Sequence, residues 1–105
     1  MRKRIRSLIL VALMVSPMQA FAAGSAQNGK LIAERWCASC HLVSPEQTQA
    51  SADAPSFDSI AKGSKHKLDW LLAFLTDPHP PMPDLSLTRQ EMSDLVAYFE
   101  ARQKH

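Results

Sequence analysis

Five residues, Cys37-Ala38-Ser39-Cys40-His41, constrain this chain more than anything else in it. Two thiols two residues apart, followed at once by a histidine, form the attachment signature of c-type haem. The thiols make thioethers with the haem vinyl groups and the imidazole takes the iron. Helical or turn geometry over Cys37 to His41 places both sulfurs along one haem edge while the histidine ring reaches the metal. The cysteines also admit a plainer reading, a single disulfide in an exported protein. Such a bridge closes too small a loop to constrain much of the unfolded chain, so its purpose would have to be redox chemistry.

Export is indicated by the amino terminus. Arg2, Lys3, Arg4 and Arg6 precede an apolar run from Leu8 to Val15, a breaker at Pro17 and the small-residue pattern Ala20-Phe21-Ala22. Residues 1–22 are therefore expected to be a cleavable signal peptide and residues 23–105 a single domain of about 83 residues. A retained membrane anchor is the competing reading, but the apolar run is far shorter than the roughly 18 to 20 residues a spanning helix needs. The leader carries four of the twelve basic residues and none of the ten acidic ones, so the formal charge of +2 becomes −2 on its removal, eight against ten. The basic balance thus belongs to the targeting segment and gives no support to nucleic-acid binding. So short a domain has a marginal core, and a covalently held haem at its centre replaces apolar side chains the chain cannot supply.

After a small polar lead-in, Ala23 to Gln27, the pattern predicts a first helix from about Asn28, its expected N-cap, to the cysteine motif. Leu31, Ile32, Arg35 and Trp36 are spaced for one face, and Lys30 and Glu34 form an i,i+4 pair on another. Leu42 to Ala54 has no sustained period and reads as loop. Phe57 to Ala61 suits a short helical turn ended by Gly63. Ser64 is then expected to cap a helix over about Lys65 to Thr76, with Leu68, Leu71, Leu72 and Leu75 as its core stripe and Trp70 and Phe74 toward one edge. Four prolines in the seven residues Asp77-Pro78-His79-Pro80-Pro81-Met82-Pro83 make a stiff, extended strap. The last helix opens on a capping box, Thr88 with Glu91, stapled by Leu87 and Met92, and carries a Met92, Leu95, Val96 and Phe99 stripe. Ala101 to His105 is expected to fray.

In these features the chain resembles the class I c-type cytochromes, and the small bacterial monohaem members in particular. The resemblance rests on the pentad, Gly29 eight residues before it, the Pro55-bearing loop, Met82 on its proline strap and the final amphipathic helix. It implies an all-α fold: a small cytochrome c fold of three to four helices wrapped around one covalently attached haem c. Gly29 would let the first and last helices cross closely, near Leu95 and Tyr98. Cofactor-binding residues would be Cys37, Cys40, His41, Met82, Pro55 and Trp70, with His41 and Met82 as the two ligands to iron. The Pro55 carbonyl would accept the proton of the ligand imidazole's other nitrogen, and the Trp70 indole would serve a haem propionate; simple turn and packing roles are the alternatives for these two. Met82 stands 41 residues after His41, and Met92 belongs to a helical stripe.

With both axial positions filled, the expected function is that of a periplasmic one-electron carrier between donor and acceptor proteins, with no substrate turnover. Thioether ligation and apolar burial both favour ferrous iron. An electron-accepting haem subunit of a periplasmic dehydrogenase or sulfur-oxidising complex would present the same site. A ligand-binding haem protein would need a labile Met82, with His79 as a replacement ligand. A thioredoxin-type enzyme would need a central sheet, yet Val, Ile and Thr number only seven from Ala23 onward. Structural zinc lacks a second ligand pair, since His66, His79 and His105 are scattered. Lys62, Lys65 and Lys67 form a small basic cluster, either a docking aid or a solvated face.

Overall fold

The computed structural model describes residues 24–51, 53–64 and 67–104. The expected leader and its cleavage point after Ala22 lie outside the described residues, as do Lys65 and His66. Among the described residues the chain is wholly helical: α1 (Ala26–Trp36), α2 (Phe57–Gly63), α3 (Asp69–Thr76) and α4 (Arg89–Gln103). The carboxy-terminal helix organises the rest, with α1, α2 and α3 all packing on it.

α1 starts earlier than its polar pattern suggests. Ser25, not Asn28, is the N-cap, its hydroxyl accepting the Asn28 N–H at 3.2 Å. Ser25 is held there by α4, because its own N–H donates to the buried Asp94 carboxylate at 2.7 Å. A carboxylate at this end also complements the positive pole of the helix. The buried face of α1 differs from the expected one as well. Gly29, Ala33 and the following Cys37 face inward at i, i+4 and i+8, whereas Leu31 and Trp36 are 58% and 51% exposed. The reason is backbone contact: a methyl group on Gly29 would lie 2.0 Å from the Asp94 carbonyl and 2.8 Å from Tyr98 Cβ. At that separation only the smallest residues fit, and the large ones are turned outward. Arg35 lies with its guanidinium 5.0 Å from the Trp36 ring centre, and Lys30 and Glu34 form the expected pair at 3.8 Å.

α2 is capped by Ser56, whose hydroxyl accepts the Ser59 N–H at 3.1 Å, and it continues through Gly63. Ser64 closes this helix, donating its hydroxyl to the Ile60 carbonyl at 2.8 Å, and does not open the next. α3 accordingly begins only at Asp69, without a side-chain cap. Two turns packed on a single neighbour bury one narrow side. Leu68 and Leu71 are buried and Leu75 half-buried, but Leu72 is 40% exposed and is not core. The capping box of α4 forms as its sequence predicts, Glu91 N–H to Thr88 Oγ1 at 3.1 Å and Thr88 N–H to Glu91 Oε2 at 2.7 Å. Leu95 and Phe99 are buried toward the centre, while Asp94 and Tyr98 are buried on the adjoining side.

The end of α4 does not fray before Gln103. Arg102 grips Asp58 of α2 in a two-pronged pair at 2.6 and 2.8 Å, and Gln103 donates to the Ala61 carbonyl at 3.0 Å. That guanidinium holds the Asp58 carboxyl below its ordinary value of 3.8. A depressed folded-state value stabilises the fold in full above the ordinary value, and the contribution fades as acid protonates the carboxylate. Arg102→Ala should therefore cost ~0.5–1 kcal/mol at neutral pH, a modest figure because Asp58 is partly solvated, and the gap to wild type in urea titrations should close on acidification below about pH 3.8. Gly29→Ala should be worse, lowering stability by ~1–3 kcal/mol through overpacking against the α4 backbone. Its denaturation midpoint should fall without a change in slope.

Candidate functional site

The cysteine motif begins where α1 stops. The N–H groups of Cys37 and Ala38 both bond to the Ala33 carbonyl, at 2.9 and 3.0 Å, and those of Cys40 and His41 both bond to the Cys37 carbonyl, at 3.2 and 2.9 Å. This tight turn presents Cys37, Cys40 and His41 to one cavity of about 690 Å³, within the ~300–1,000 Å³ typical of small-molecule sites. Both thiols are free. Burial, reinforced by the neighbouring Cys40, pushes the Cys37 thiol up to about 11. A redox-active dithiol needs the opposite shift. The thioredoxin alternative also lacks its sheet, since there is no strand among the described residues.

The His41 ring is held on two sides. Its Nδ1 lies 2.7 Å from the Pro55 carbonyl oxygen. That oxygen can only accept, so Nδ1 carries the proton and Nε2 keeps a free lone pair. Phe57 meets the ring edge-on at 5.5 Å between centroids and is itself stacked on Phe99 at 4.3 Å. The Phe57 N–H, bonded to the Leu42 carbonyl at 2.9 Å, ties the start of α2 to the residue after His41. An aromatic column from α4 thus supports the imidazole through α2.

Across the cavity is the proline strap. Met82 lines the cavity, half-buried, in a turn closed by its N–H bonding to the His79 carbonyl at 2.9 Å. Met92 is engaged elsewhere, its sulfur 3.6 Å from the Thr76 hydroxyl. His79 also lines the cavity and packs its ring edge-on against Phe74 at 5.6 Å. Trp70 stands at the same wall, 46% exposed and edge-on to Phe74 at 6.0 Å, which is not the setting of a plain core residue. Leu71, Leu95 and Phe99 provide apolar surface behind them.

The six residues singled out from sequence, Cys37, Cys40, His41, Pro55, Trp70 and Met82, therefore line one cavity. An apolar cleft with two thiols at one side, an imidazole lone pair and a soft thioether suits a haem covalently held by its edge. Phe57, which lines the cavity, and Gln47, whose Nε2 donates to the Ala38 and His41 carbonyls of the motif, were not expected here. Phe57 had a signal, an aromatic at the first position of α2 two residues after Pro55. Gln47 had none, being one polar residue among many in a loop. Among the described residues no group of three or more His, Cys, Asp or Glu side chains could hold a metal ion by itself.

The sequence matches the Cytochrome c family over residues 26–102. It is similar to Cytochrome c-552 of Bradyrhizobium diazoefficiens, with 43% identity over 98 residues that cover 93% of this chain and 94% of that protein. No solved structure gives a significant match. Among the described residues no helix is long and apolar enough to cross a membrane. The chain belongs to the cytochrome c family and is an electron-transfer protein, not an enzyme, with a covalently attached c-type haem.

Proposed function

We propose that this protein is a periplasmic one-electron carrier whose haem is attached through Cys37 and Cys40 and ligated by His41 and Met82. The observation that carries the reading is the convergence of those four side chains on one apolar cavity, with His41 already oriented by the Pro55 carbonyl. When bound, the haem iron supplies a reversible ferric–ferrous change. The residues set its conditions. Pro55 holds the imidazole proton on Nδ1, leaving the Nε2 lone pair free to donate. Met82 offers a soft thioether, which favours the ferrous state, and the apolar wall of Leu71, Leu95 and Phe99 disfavours the extra positive charge of the ferric state. Trp70, at the cavity edge, has an indole N–H suited to a propionate. With His41 and Met82 both holding the iron, no position would be left for a substrate, and the traffic would be electrons between donor and acceptor proteins.

Periplasmic location is supported by the basic and apolar leader ending at Ala22. The similarity to Cytochrome c-552 also spans 98 residues, more than the 83 that follow Ala22, and so extends into that leader.

Protein recovered from the periplasm should begin at Ala23 and stay red and haem-stainable after denaturation. Changing Cys37 and Cys40 to Ala together should abolish that covalent retention. In Met82→Ala the methionine-to-iron absorption band of the ferric protein should vanish and the reduction potential should fall. An unchanged ligand-field spectrum in that variant would refute the assignment of Met82.

A further inference from the structure

The loop between the cysteine motif and α2 takes up the motif's carbonyls one after another. The Cys37 carbonyl is used inside the turn itself. The Ala38 and His41 carbonyls accept from Gln47 Nε2 at 2.7 and 2.9 Å, and the Ser39 carbonyl accepts the Ser51 N–H at 2.8 Å. Just beyond, the Val43 carbonyl accepts the buried Tyr98 hydroxyl of α4. Gln47 is the hub of this arrangement. Its Nε2 also reaches the Gln49 carbonyl at 2.9 Å, and its Oε1 accepts the Val43 N–H at 2.9 Å. Three carbonyls face the nitrogen and one N–H faces the oxygen, so the network admits a single orientation of the carboxamide. Two amide hydrogens serve three acceptors, one of them shared.

This hub bears on the histidine in a way that the Pro55 bond does not. A ring tethered only at Nδ1 still pivots with its own backbone. The His41 N–H is held by the Cys37 carbonyl, the bond from Gln47 holds the residue at its carbonyl as well, and the bond to Ala38 ties the turn between the two cysteines.

We propose that Gln47 is a positioning residue for the proximal ligand: it locks the backbone of His41 so that the ring keeps Nδ1 on Pro55 and Nε2 directed into the cavity. This rests on the ligand role of His41 given above. Without the carboxamide, the Ala38 and His41 carbonyls lose their partner, the ring plane is no longer unique and the Pro55 bond weakens. The imidazole then becomes a poorer donor to ferric iron.

The test compares Gln47→Leu, similar in shape but unable to hydrogen-bond, with Thr88→Ala, which removes the α4 cap and none of the hydrogen bonds of the motif. Both should unfold at lower urea concentration. Only Gln47→Leu should alter the spread of haem methyl resonances in the ferric proton NMR spectrum, which reports the ligand ring plane, and raise the reduction potential. Gln47→Glu keeps the acceptor for Val43 but has no donor at neutral pH, and should reproduce the change in methyl spread; it carries that readout if Gln47→Leu does not accumulate. A wild-type methyl pattern and potential in the Gln47 variants, with stability alone reduced, would overturn the positioning role. Absence of strongly shifted His41 ring protons in the wild-type protein would overturn the ligand reading, and this inference with it.

Discussion

The backbone contact between α1 and α4 is the constraint on which the rest of the structure depends. Because Gly29 has no side chain, the first helix rests on the Asp94 carbonyl and the Tyr98 stem, and Gly24 meets the Ser93 carbonyl in the same way. That crossing fixes where α1 ends and so where Cys37 begins. Asp94 then secures the start of α1 through Ser25, while Tyr98, one turn further along α4, bonds to the loop that follows His41. One helix face thus sets both ends of the segment that carries the site.

The cavity explains why a chain this short needs such fixing. Side chains leave about 690 Å³ unfilled at the centre. The haem is therefore as much a part of the core as Leu95 or Phe99. Its covalent attachment keeps it with the chain in both oxidation states.

What the sequence made legible was whatever its residues encode locally. The capping box at Thr88 and Glu91, the strap around Met82, and the cysteine motif each depend on chemistry within a few positions of chain. Pro55 was readable because the segment Ala54-Pro55-Ser56-Phe57 resembles the family stretch that passes the histidine side of the haem. Most of the failures involve distant partners; Ser64 is the exception, its hydroxyl turning back four residues to the Ile60 carbonyl. Asn28 looks like a cap until Asp94, far along the chain, claims Ser25 instead. Leu31 and Trp36 look like a core face until the α4 backbone comes too close for them. Leu72 belongs to a regular leucine stripe, yet α3 meets only one neighbour. Arg102 reads as a fraying tail until Asp58 appears beside it. Gln47 is the extreme case, a polar loop residue whose four partners include two carbonyls of the motif.

The two sides of the cavity are secured unequally, and that asymmetry follows from the same geometry. On the imidazole side, Gln47, Ser51, Pro55, Phe57 and Tyr98 tie the motif and its loop to α2 and α4. On the thioether side, the strap between α3 and α4 is shaped mainly from within: the Met82 N–H bonds to His79 three residues away, and Ser86, held at a φ of +52°, bonds through its N–H to the side chain of Asp84. Proline stiffness substitutes there for long-range anchoring, by narrowing the unfolded alternatives of the strap without attaching it to the core. Local opening costs least where bonds are few and near in sequence. The histidine side is consequently the fixed reference of the centre. The methionine side is the one whose position depends most on what fills the cavity.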